Sequence, residues 1–160
     1  MKKGNIENGN SKKVATPSRE EMVRLLNDDL AREYQAVIAY TVYSQIIKGP
    51  EYNSIAKELE KHAGEELDHA LKISKQIDYF GGMPTTRPKE VKTSEDPKDM
   101  LRFDLENERV TIQNYRDRIR QADAMGEFGL SETLREIIVQ EQEHLMDLAD
   151  ALGIDAPKFS

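Results

Sequence analysis

Six residues of this chain have the types and spacing to do chemistry together: Glu33, Glu66, His69, Glu108, Glu141 and His144. Glu66 stands three residues before His69 in EELDHA, and Glu141 three before His144 in QEQEHL. At that separation a carboxylate and an imidazole leave the same face of a helix. Each Glu-x-x-His also follows another glutamate by 33 residues, Glu66 after Glu33 and Glu141 after Glu108. Four carboxylates and two imidazoles make an oxygen and nitrogen ligand set for two divalent metal ions.

The elements that must position these residues are helices. Ser18 is a plausible N-cap with Glu20 and Glu21 in the following turn, and the first helix runs to about Ile47, where KGP stops it. The second runs from about Glu51 to Phe80 and ends at GGMP. A third starts near Pro97, after Asp96, and reaches about Ala124; a fourth spans about Leu130 to Leu152, with Gly153 as its stop. The first–second and third–fourth turns are short, and the second–third connection is long. That pattern predicts an all-α antiparallel four-helix bundle with one long crossover.

Three- and four-residue steps trace one stripe on each helix. The first gives Leu26, Leu30, Glu33, Val37, Tyr40, Ser44 and Ile47; the second Ile55, Leu59, His62, Glu66, His69, Ala70, Ile73 and Ile77. The third gives Leu101, Leu105, Glu108, Ile112, Tyr115 and Ile119; the fourth Leu134, Ile138, Glu141, His144, Leu145, Leu148 and Leu152. Each stripe is mainly apolar, with one glutamate near its middle. Adding 75 carries Glu33 to Glu108, Tyr40 to Tyr115, Glu66 to Glu141 and His69 to His144, so the chain is an internal repeat of two helical hairpins. Four ionised carboxylates in one core would each face a desolvation penalty of order several kcal/mol, with mutual repulsion added. No Lys or Arg falls on the stripes to offset this, whereas two divalent cations would. One Glu-x-x-His is usually solvated surface; two copies in register with an in-stripe glutamate are not.

The 160 residues, 38% of them hydrophobic, suffice for one domain, predicted over residues 18–154 with a short tail at 155–160. Without cysteine there is no disulfide, thiolate zinc site or iron–sulfur cluster. No apolar run approaches the roughly 18 residues of a membrane span, and no signal peptide is recognisable, so the cytoplasm is expected. Residues 1–17 read as a disordered basic arm. Over residues 1–19 the charge is +4 of a net −7, leaving −11 on the rest. An acidic body suits a protein that attracts cations and argues against a nucleic-acid surface. The arm could contact DNA phosphates, but a solubilising tail is the favoured reading.

Over residues 20–152 the sequence resembles the ferritin-like di-iron superfamily, and bacterioferritins most. Glu33, EELDHA, Glu108, QEQEHL and the GGMP after the second helix carry the resemblance. It implies two iron ions per subunit, with Glu33 and Glu108 as terminal ligands, Glu66 and Glu141 bridging, and His69 and His144 each on one iron. It also implies oxidation of Fe(II) by O2 or H2O2, with ferric mineral stored in a hollow homo-oligomeric shell. Tyr40 matches a family tyrosine beside the iron site that hydrogen-bonds a ligand or supplies an electron. Two departures matter. Leu67 stands where bacterioferritins carry a haem-ligating methionine, so haem is not expected. The terminal GIDAPKFS leaves no room for the fifth helix of 24-subunit shells, so a Dps-like dodecamer with sites inside each bundle is expected over a 24-mer.

Other residues have plainer readings beside their sharper ones. His62 reads as a hydrogen-bonded core histidine before an iron-transit group, and Glu65 as solvated surface before an iron path. Tyr34 and Tyr43 read as inter-subunit or core packing rather than as redox groups; Val42, Tyr43, Ile46 and Tyr52 are expected off the core stripe, consistent with a pairwise contact face. The alternatives to iron storage are a rubrerythrin-like peroxide reductase and a DNA-protecting shell. The first is disfavoured by Leu105 and Thr111, where those proteins add a carboxylate, and by the lack of cysteine.

Overall fold

The computed structural model describes residues 15–160. Four long helices carry the chain: α1 (Arg19–Ile46), α2 (Asn53–Tyr79), α3 (Pro97–Met125) and α4 (Phe128–Leu152). A single 3-10 turn, Pro50–Tyr52, precedes α2, and no strand occurs among the described residues. Of the arm expected at residues 1–17, residues 1–14 lie outside the described residues. Among the described residues no helix is long and apolar enough to cross a membrane.

The ends follow from local chemistry. Ser18 Oγ accepts the Glu21 N–H at 3.1 Å while the Glu21 carboxylate accepts the Ser18 N–H at 2.9 Å, a reciprocal cap that satisfies otherwise orphaned donors. Asp96 caps α3 by accepting from the Lys98 N–H at 2.8 Å, with Pro97 in the first turn, where its missing N–H costs nothing. Helices α3 and α4 both end on a left-handed glycine, Gly126 and Gly153.

Helices α1 and α2 form one hairpin and α3 and α4 the other. The connection between them is a strap laid along α1. Asn27 donates to the Met83 carbonyl at 3.0 Å and accepts from the Thr85 N–H at 2.7 Å. Higher up, the Lys89 N–H donates to the Ala31 carbonyl, Gln35 donates to the Glu90 carbonyl, and the Tyr43 hydroxyl donates to the Lys92 carbonyl. The strap thus climbs α1 from Asn27 to Tyr43 and delivers α3 to the opposite end of the bundle, so α3 runs antiparallel to α1.

The apolar core is in two pieces. One gathers Met22, Leu26, Ile73, Ile77, Leu130 and Leu134 at one end. The other gathers Tyr43, Leu59, Met100, Leu101, Leu145 and Leu148 at the other. Between them lies the layer of glutamates and histidines. Three sequence expectations need correction here. On α4 the buried residue is Ile137 (0% exposed), not Ile138, which packs at the margin; a three- or a four-residue step before Glu141 fits the stripe equally well. Helix α4 begins two residues earlier than expected, at Phe128. Tyr43 is 1% exposed, because the strap covers it, so it belongs to no outer face; Val42 and Tyr52 are half-buried against the same core.

Gly82 marks where the loop after α2 presses on α1. A Cβ there would sit 2.3 Å from Val23 Cγ1. Gly82→Ala is expected to lower stability by about 1–3 kcal/mol through this overlap. Gly64→Ala, in α2 with open space around it, is expected to raise it by roughly 0.5–1 kcal/mol. Urea unfolding of both variants checks this; a Gly82→Ala midpoint at or above wild type would contradict the close approach.

Candidate metal centre

Each helix contributes one glutamate to the middle layer, and α2 and α4 add a histidine one turn on. All six side chains are buried. Their arrangement is built around the two imidazole Nδ1 atoms. His69 Nδ1 lies 3.0 Å from Glu66 Oε2, 3.3 Å from Glu141 Oε1 and 3.7 Å from Glu33 Oε2. His144 Nδ1 lies 2.9 Å from Glu66 Oε1, 3.2 Å from Glu141 Oε2 and 3.6 Å from Glu108 Oε1. Glu66 and Glu141 therefore each present one oxygen to either histidine, whereas Glu33 faces only His69 and Glu108 only His144. Two overlapping sets result, Glu33–Glu66–His69–Glu141 and Glu66–Glu108–Glu141–His144, and each could hold one metal ion. Among the described residues neither carboxylate oxygen of Glu141 has a well-aligned hydrogen bond, and only the two imidazole nitrogens approach it, at 3.3 and 3.2 Å. A buried anion left this way is costly unless a cation meets it, which is what a metal-binding carboxylate requires.

Surrounding groups fix the orientation of the six. His69 Nε2 is 2.7 Å from Gln140 Oε1, and His144 Nε2 is 2.7 Å from Glu65 Oε2. With Nε2 facing these outer acceptors, each Nδ1 faces the centre. Tyr40 on α1 donates to Glu108 on α3 at 2.5 Å, and Tyr115 on α3 donates to Glu33 on α1.

The electrostatics are those of an anionic site out of water. Burial, followed by the charge of Glu141, pushes Glu66 well above the usual carboxylate range and raises Glu108. Burial opposes ionisation at Glu33 and Glu141 as well, yet the imidazoles beside them hold both below it. Burial disfavours charge on His69 and His144, but the facing carboxylates outweigh it and hold both well above the ordinary imidazole range. Protons on the two histidines occupy the positions that cations would compete for.

The six residues and Tyr40, expected together from the sequence, are grouped in one layer by the structure. Three features of the site lie outside that expectation. Glu65 is half-buried and bonded to His144 rather than solvated, and Gln140 is its counterpart 75 residues on; the repeat that linked the glutamates also linked these. Tyr115 plays toward Glu33 the part that Tyr40 plays toward Glu108. Arg118, which no stripe included, is buried and binds the Asp29 carboxylate through two bonds, at 2.7 and 3.1 Å. The shared D-L-x-x-E motif holds Asp29 and Asp104, but only Asp29 has such a partner. Asp104 is buried with Oδ2 unpartnered, and burial followed by the Glu108 charge pushes its carboxyl well up. His62 is fully buried (1% exposed), stacked on His144 at 4.0 Å and 3.1 Å from Asp147 Oδ2. Burial and then the His144 charge lower it to about 4. Leu67, at the haem-ligand position of bacterioferritins, is 51% exposed on α2.

Comparison with known proteins agrees with this geometry. Residues 23–155 match the ferritin-like domain. The chain is 26% identical over 137 residues to a bacterioferritin of Brucella melitensis, covering 84% of each. It is 25% identical over 128 residues to a bacterioferritin of Desulfovibrio desulfuricans, covering 79% of this chain and 72% of that one. Among solved structures, a ferritin-like di-iron carboxylate protein of Bacillus anthracis superposes with a TM-score of 0.81 at 33% identity, over 84% of this chain and 96% of that one. The bacterioferritin-related protein of Bacteroides fragilis, a dodecameric thioferritin, superposes with a TM-score of 0.79 at 25% identity, over 86% and 88%. With its domain match, its bundle and its central carboxylate–histidine layer, the chain belongs to the ferritin-like family.

Proposed function

We propose that this protein is a ferroxidase that takes up Fe(II) at a dinuclear site inside each bundle and stores the ferric product in a closed shell of twelve copies. The observation that carries the reading is the reach of Glu66 and Glu141, each with one oxygen toward either histidine. Two ions held at one another's side need bridging carboxylates of this kind, and a structural ion pair does not. Glu33 and His69 complete one position, Glu108 and His144 the other. Four carboxylates offset the charge of two divalent ions, which lifts the desolvation burden described above.

Iron supplies the redox chemistry: two Fe(II) ions give one electron each, and O2 with two protons becomes H2O2, or H2O2 with two protons becomes two waters. The chain's own residues hold the ions together, keep bulk water out and fix the ligand atoms. Gln140 and Glu65 orient the imidazoles. Tyr40, one hydrogen bond from Glu108, steadies that carboxylate. Storage needs an enclosed cavity, and closed shells follow from point-group symmetry. The dodecameric assembly of the Bacteroides fragilis relative supports that subunit number.

Anaerobic Co(II) titration of the metal-free protein is expected to show at least two ions bound in concert per chain. Protons should be released near neutral pH, about two from the histidines together with any held by Glu66 and Glu108, whose carboxyls burial pushes up. Saturation below two ions would refute the pairing, and uptake without proton release would refute the displacement.

Glu66→Ala and Glu141→Ala are each expected to remove the fast phase of Fe(II) oxidation, since each deletes a carboxylate that reaches both metal positions. Gln140→Ala and Glu65→Ala, which remove the outer partners of the imidazoles, are expected to weaken metal affinity by about 10–100-fold. Unchanged initial rates in both bridging variants would put the chemistry elsewhere. Light scattering at neutral pH is expected to give about twelve times the 18.3 kDa chain mass. A stable dimer would defeat the storage half of the reading.

A further inference from the structure

We propose that Glu58, His62 and Asp147 form a third divalent-metal site, which loads the dinuclear centre from an acidic cleft between the start of α2 and the end of α4. This rests on the iron reading above, since its purpose is delivery to that centre. One ring nitrogen of His62 and one carboxylate oxygen each of Glu58 and Asp147 lie within 4.8 Å of one another. An imidazole with two carboxylates is a ligand set for a transition-metal dication rather than for Mg(II) or Ca(II).

Two further observations separate the set from a chance acidic cluster. His62 is fully buried, yet among the described residues its Nδ1 has no hydrogen-bond partner, and the partner on the other nitrogen is Asp147 itself. The set is also peculiar to one side of the bundle. The repeat equivalents of Glu58, His62 and Asp147 are Thr133, Ile137 and Lys72, so the second hairpin keeps an apolar residue where this one keeps an imidazole. His62 is not a by-product of the duplicated pattern.

The surroundings give the site a direction. Glu58 and Asp147 line a surface cleft of about 220 Å³ together with Glu51, Asp150, Tyr52 and Ser54, and no Lys or Arg lines it. Four carboxylates around a concave surface concentrate cations at its floor. On the inner side, a ring nitrogen of His62 also lies within 4.8 Å of ligand atoms of Glu65 and His144, and the two imidazoles stack at 4.0 Å. Cleft, His62 and His144 thus form a short relay of ligand atoms from solvent to the buried centre.

The test is a Co(II) titration of the full-length assembled protein, with bound metal counted by elemental analysis and uptake followed by stopped-flow absorbance. Wild type is expected to bind a third, weaker equivalent per chain. The double variant Glu58→Gln/Asp147→Asn, which alters side chains at the cleft rather than in the buried layer, is expected to lose that equivalent. It should keep the pair and load it roughly 10-fold more slowly. A wild type that stops at two ions, or a double variant that keeps the third at full loading speed, overturns the proposal while leaving the dinuclear reading intact. Fewer than two ions in wild type would sink that reading instead.

Discussion

Taking four carboxylates out of water in the middle of a small bundle is the constraint from which most of the architecture follows. Each of these groups would rather be solvated or protonated, and hydrophobic packing cannot offset charge at that depth. The bundle answers by surrounding the layer with donors: Tyr40 and Tyr115 from across the bundle, His69 and His144 from within it, and Arg118 for the neighbouring Asp29. Such a layer also divides the core. Two apolar clusters, one at each end, carry the cohesion that the centre gives up.

Holding ligands from four helices to a common point demands that the helices not slide. The strap along α1 supplies part of that restraint, because its bonds to Asn27, Ala31, Gln35 and Tyr43 recur about once per turn or two along that stretch of the helix. A slip of one turn would carry Glu33 or Glu108 roughly 5 Å from the centre. The connection that looks like mere linker in the sequence is therefore part of what sets the depth of the site.

Much of this was legible in the residues. Period and punctuation set out the four helices, since Gly and Pro interrupt otherwise continuous apolar stripes, and the Glu-x-x-His spacing put the ligand candidates on one face. What escaped was whatever depends on lateral contact. The choice between Ile137 and Ile138 turns on a rotation of α4 that steps of three and four do not distinguish. Tyr43 looked like surface because nothing in its own helix says that a strap will cover it. Glu65 and Gln140 are ordinary helix residues by type, and only the facing imidazole makes them hydrogen-bond acceptors. Arg118 lies one residue off the stripe, and a long side chain reaches where its backbone position does not point.

Duplication made the two halves of the centre alike, but the residues behind the histidines have diverged. His144 leans on the Glu65 carboxylate, whereas His69 leans on the Gln140 amide. An imidazole sharing its outer proton with an anion donates electron density more strongly than one bonded to a neutral carbonyl oxygen. The two carboxylate–histidine sets, near mirror images in their inner residues, are thereby electronically inequivalent, and the set nearer His62 is the more electron-rich. Polarity of this kind is written into the chain before any ion arrives.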